Sequence, residues 1–219
     1  MRSTLRMFMV PGALLALAAA AGCSSGGDGD GGGPDGAKGK AVAAVCGGFA
    51  KEGAAFDALK AIAGDGDLTD DRSQPDETLS ALRDADGKLT TQEMASGSPF
   101  CRLRTAKDGE PTVNISFREA LVVTPHKPGD TGFAPFTTGE SAISSNRFAS
   151  ISFKCRMKEP AKEIIVAAEL ERPGKGAAET KDLPASQITV LNAAARKVAT
   201  DLGCQNDTKL VEGVPKPAA

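Results

Sequence analysis

The chain has 219 residues, with 26 basic and 28 acidic side chains, one His, and neither Trp nor Tyr. That balance lacks the positive excess of a nucleic-acid-binding protein. A single His excludes zinc sites built on several imidazoles, and the want of Trp and Tyr argues against a sugar-stacking carbohydrate module.

Residues 1–22 read as an export signal. Arg2 and Arg6 stand without acids, and Phe8 to Ala21 is an apolar run shorter than a membrane-spanning helix needs. Ala20-Ala21-Gly22-Cys23 resembles the lipobox of bacterial lipoproteins, in which small residues precede a cysteine that receives a diacylglycerol on its sulfur. The resemblance implies that Cys23 is lipidated and that the chain is held on the outer face of the cell membrane; two or three acyl chains anchor stably where one does not. Loss of the two signal arginines leaves 24 basic against 28 acidic residues. Residues 23–39, almost pure Gly, Asp and Ser, cannot offset their own ordering entropy and read as a flexible tether spanning roughly 20–25 Å.

Residues 40–205 are expected to form one extracytoplasmic domain, with 206–219 as a flexible tail. Ala41–Ala63 carries Val42, Val45, Cys46, Phe49, Phe56, Leu59 and Ile62 near helical spacing, with Gly47, Gly48 and Gly53 as points of interruption. Pro75–Asp84 predicts a short helix with Pro near its first turn and Asp76 and Glu77 favouring its dipole. Two strand pairs follow: Pro99–Arg104 with Pro111–Val122 around a Lys107-Asp108-Gly109 turn, and Ser150–Lys158 with Glu163–Glu171. Val113, Ile115 and Phe117 share one face, as do Ile151, Phe153, Cys155 and Met157, and Ile164, Val166, Ala168 and Leu170. Ser186–Gly203 closes the domain as a helix with a Leu191, Ala194, Val198, Leu202 stripe and a glycine stop. The expected fold is α+β: a four-stranded antiparallel sheet with N- and C-terminal helices packed on one face.

Cys46, Cys101, Cys155 and Cys204 form an even set without C-x-x-C or zinc spacing, which in an exported chain reads as two disulfides. Cys46–Cys101 with Cys155–Cys204 would staple each terminal helix to its neighbouring strand pair. Cys101–Cys155 across the sheet, with Cys46–Cys204 between helices, is the alternative.

The lipobox, the tether, VCGG, FCR, SFKC and a terminal LGC together resemble the small uncharacterised lipoproteins of streptomycetes and related actinobacteria. A fainter similarity of pattern links the chain to two-disulfide extracellular sensor domains of mycobacterial receptor kinases. The resemblance covers most of the chain and brings no assigned chemistry.

Two acidic stretches imitate calcium loops. Asp84–Glu93 has ten residues rather than twelve, and the one beginning at Asp65 has Asp70 where the turn glycine belongs. No metal or cofactor is expected. Arg102, Arg104, Lys154, Arg156 and Lys158 are expected on the uncovered sheet face, either meeting an anionic cell-wall polymer or simply solvated beside acidic neighbours. Residues 123–148 read as a long connection in which Phe133 and Phe136 are the candidate binding residues, either as core plugs or as a ligand lip. The expected function is a non-enzymatic, membrane-tethered domain that binds or senses an envelope protein or polymer. The alternative is an envelope hydrolase, using His126 or a carboxylate pair such as Asp70 and Asp71.

Overall fold

The computed structural model describes residues 39–64, 66–86, 97–105, 111–123, 132–173 and 182–218. The export signal, Cys23, the tether up to residue 38, His126, the Lys107–Gly109 turn and most of the Asp84–Glu93 loop lie outside these residues.

Residues 36–219 make one compact unit. Among the described residues it has seven strands: β1 (Leu68–Thr69), β2 (Ser98–Thr105), β3 (Pro111–Ala120), β4 (Ala134–Pro135), β5 (Ser141–Ser144), β6 (Phe148–Met157) and β7 (Lys162–Glu171). They form a single antiparallel sheet in the order β1-β2-β3-β7-β6-β5-β4. The expectation of four strands is therefore corrected to seven. The four predicted strands are the long central ones, and the three additions extend both sides. β1 and β4 are two residues each, too short for any alternation to register. β5 reads Ser-Ala-Ile-Ser and turns Ala142 and Ser144 inward, so its buried face is marked by no large apolar residue.

Among the described residues the helices are α1 (Gly53–Ala63), α2 (Pro75–Asp84) and α3 (Leu183–Leu202), preceded by a 3-10 segment at Val42–Gly48. The single helix expected over Ala41–Ala63 is broken. Cys46 and Gly47 sit at φ 48° and 73°, a kink inside the 3-10 segment, and the α-helix begins only at Gly53. Cys46 is held there from two sides: its N–H donates to Asp70 Oδ2 at 2.7 Å, and its sulfur is bonded to Cys101.

The residues predicted to face inward on β3, β6 and β7 are all buried in the core, and Ala149 of β6 and Glu119 of β3 are buried as well. Phe100, Phe117 and Phe153 fill the centre, Phe100 and Phe117 edge to face at 5.2 Å. Both disulfides take the helix-to-strand pairing: Cys46–Cys101 and Cys155–Cys204. The Lys162 ammonium donates to the carbonyls of Arg83 and Ala85, closing the C-terminal end of α2 with a cation where the helix dipole favours one.

Residues 206–218 do not leave the fold as a free tail. Asn206 accepts from Arg156 N at 2.6 Å and donates to Lys154 O at 2.9 Å, so it rides on the end of β6. Asn192, buried in the middle of α3, accepts from Thr138 Oγ1 at 2.6 Å and donates to Val211 O at 2.8 Å. Pro217 then pairs with Phe136, while Thr137 N donates to Lys216 O and Ala218 N to Pro135 O, so the last residues line the β4 edge.

Candidate binding site

The end of the sheet where β5 turns into β6 meets the start of α3. Ser145 N donates to Phe148 O at 2.7 Å, and Ser145 Oγ accepts from Phe148 N at 3.2 Å, a serine-stabilised turn that fixes residues 145–148. Two buried side chains from other elements hold the carbonyls of this turn. Gln187, in the first turns of α3, donates Nε2 to Ser145 O at 2.9 Å. Arg172, one residue past β7, donates Nη1 to Asn146 O at 3.2 Å, and its backbone N–H donates to Arg147 O at 2.9 Å.

A cavity of about 300 Å³ opens beside this turn, with Gly132, Phe133 and Ala134 on one wall and Ser144, Ser145, Asn146 and Pro184 on the other. Phe133 is 39 % exposed and stands edge to face on Phe148, ring centres 6.2 Å apart. A half-exposed ring braced by a second ring, beside hydroxyl and amide groups, has the make-up of a small recognition site.

The structure splits the predicted Phe pair. Phe133 lies at the cavity mouth, whereas Phe136 is 7 % exposed, donates its N–H to Ala142 O at 3.0 Å and joins the core. The connection expected over 123–148 contains β4, β5 and the start of β6. Arg172 and Gln187 were not singled out in the sequence, although a signal existed. Arg172 extends the inward series Ile164, Val166, Ala168, Leu170 by two, and Gln187 precedes Leu191 by four on the α3 stripe. A polar residue on an apolar series is the informative exception.

Some of the basic residues of the outer face are paired with acids. Arg104 pairs with Asp71 at 2.5 Å, Arg156 with Glu163 at 3.1 Å and Arg118 with Glu169 at 3.0 Å. The hydrogen bond from Arg104, against a smaller opposing effect of desolvation, holds the Asp71 carboxyl below its ordinary value. Asp70 accepts from Cys46 N and pairs with Lys40 at 2.6 Å. The two neighbouring carboxylates are thus committed to different partners rather than to each other. A second cavity of about 510 Å³ lies between α1 and α3, with four alanines, Asp57, Asp182 and Ser186 among the residues of its wall.

Among the described residues no three His, Cys, Asp or Glu side chains gather as metal ligands, and no helix is long and apolar enough to cross a membrane. No family model, curated protein or solved structure matches the chain.

Proposed function

We propose that the protein is a lipid-anchored, non-enzymatic domain on the outer face of the cell membrane that binds or senses an envelope partner through the Phe133 cleft. The observation that carries this reading is the half-exposed Phe133 ring, braced on Phe148 over a cavity. Aromatic anchors of this kind dominate interface energies, while exposed, screened ion pairs like those of the outer sheet face contribute about 0–1 kcal/mol. The two disulfides suit an oxidising, extracytoplasmic compartment.

Crosslinking in intact cells followed by purification of the chain tests the partner. Phe133→Ala should reduce recovery of the crosslinked partner about thirtyfold, the equivalent of a hot spot of about 2 kcal/mol. Unchanged recovery, or a larger loss from Arg102→Ala with Arg156→Ala, would move the surface to the sheet face and favour an anionic polymer. The anchor is tested separately. Cys23→Ser should leave the domain folded and release it into the soluble fraction, and a variant that still sediments wholly with carbonate-washed membranes would overturn the lipid reading.

A further inference from the structure

The groove between α1 and α3, of about 510 Å³, has the size that takes a small molecule or a side chain with its flanking backbone. Four alanines from the two helices wall it. Val214 of the C-terminal segment lines it too and is 55 % exposed, one of four large apolar side chains that the described residues leave in solvent. Two carboxylates belong to the same wall: Asp57 from α1, and Asp182 from the residue that opens α3. Among the described residues no Lys or Arg pairs with either. Lys60, the next cation along α1, lies over the Phe56 ring at 5.5 Å. Asp is a favoured N-cap because its carboxylate can accept from the first N–H groups of a helix. Asp182 holds that position yet makes no side-chain cap, so the helix it opens does not consume its oxygens. No third His, Cys, Asp or Glu joins the two as a metal ligand among the described residues, which leaves a metal ion short of protein oxygens. Two like charges on one recess favour a cation there, and the apolar wall favours an occupant with an apolar part.

We infer that the α1–α3 groove is a docking surface for a peptide segment of a partner protein in which a Lys or Arg stands between small apolar residues. The cationic head meets Asp57 and Asp182, its alkyl stem runs over the alanines, and a neighbouring apolar side chain covers Val214. A simple amine would satisfy the carboxylates but leave Val214 and the alanine wall in water, so the peptide is the better fit. The groove shares no lining residue with the Phe133 cavity. The inference therefore goes beyond the binding function proposed for that cleft and does not rest on it.

The test is a titration of the 15N-labelled chain carrying Cys23→Ser, so that it stays off membranes, with both disulfides formed. The backbone amides of Ala58, Ala185 and Ser186 are followed at constant ionic strength while one of three probes is added. The probes are acetyl-Ala-Lys-Ala-amide, the same peptide with its lysine Nζ acetylated, and n-butylammonium. The lysine peptide should shift these amides saturably, and the two others should bind at least about tenfold more weakly. Asp57→Asn with Asp182→Asn, which keeps the shape and removes the charge, should weaken the lysine peptide about tenfold or more. Ala61→Leu, which fills the groove from an exposed position of α1, should weaken it with both carboxylates in place. Absence of a saturable shift, an equal response to the acetylated peptide, or full retention in the double Asn variant would overturn the site. Equal binding of n-butylammonium would make the occupant a simple amine and overturn the peptide. Should the double Asn variant fail to fold, the comparison of the three probes on the parent chain decides alone. The readout needs no cellular partner and no Phe133, so a failed titration and a failed Phe133→Ala crosslinking experiment identify different errors.

Discussion

Replacing Cys155 and Cys204 together by alanine should lower the stability of the domain by about 4 kcal/mol. The bridge closes a loop with a sequence separation of 49 residues, and the chain-entropy relation assigns about that much to a loop of this size. In a domain of this length such a loss lowers the melting temperature by roughly 10 °C. The bridge ties the end of α3 to β6 just after Gly203 has stopped the helix at φ 68°, so its removal releases the point where the chain turns back toward the sheet. The hydrogen bond from Gln205 N to Arg156 O and the contacts of Asn206 then hold that corner alone. Urea unfolding of the two chains, followed by circular dichroism, measures the difference. A loss below about 1 kcal/mol would mean that constraint of the unfolded chain is not what the bridge contributes. The Cys46–Cys101 bridge closes a separation of 55 residues and belongs to the same range, with one distinction. Cys46 has φ 48°, a left-handed conformation that costs an alanine more than a glycine, so Cys46→Gly should be milder than Cys46→Ala in a chain that also carries Cys101→Ala.

The central sheet was legible because its signal is local and repeated. Ile151, Phe153, Cys155 and Met157 alternate with polar residues over a whole strand, and α3 keeps its stripe for several turns. The edges were not legible, for the opposite reason. β1, β4 and β5 are defined by what they pair with: Leu68 with Thr105, Pro135 with Ile143, Ser144 with Ala149. Gly139 shows how such information hides. A Cβ there would lie 2.5 Å from Ser152 O, so the glycine is required by a strand thirteen residues away, while its own neighbourhood reads as an ordinary polar loop. The broken helix at Cys46 has the same character. Gly47 and Gly48 announced an interruption, but the Asp70 carboxylate and the Cys101 sulfur that fix it come from elsewhere in the chain. At the candidate site, composition marked Phe133. Arg172 and Gln187 became visible only when strand parity and helix stripe were followed past their last apolar member.

Phe136→Ala should destabilise the domain by about 3–5 kcal/mol, the range for removing a buried aromatic side chain, whereas Phe133→Ala should cost about 1 kcal/mol. The two rings stand three residues apart and differ in everything that sets the size of the effect. Phe136 is 7 % exposed, its N–H is bonded to Ala142 O, and its bridge to Pro217 joins the C-terminal residues to the sheet edge. Truncating it leaves a cavity beneath that edge and loosens the hold on residues 216–218. Phe133 is 39 % exposed, and its edge-to-face contact with Phe148 accounts for the smaller figure. Urea denaturation of the two single variants separates them. Equal costs would place Phe133 in the core as well and remove the basis for a cleft, while a loss below about 1 kcal/mol for Phe136→Ala would mean that the β4 edge contributes little to the fold. The difference also decides how the binding proposal is to be examined. A variant lacking both rings would lose partner recovery through unfolding alone, so Phe133→Ala by itself, in a chain whose Phe136 still seals the β4 edge, is the substitution whose effect on capture reports on recognition.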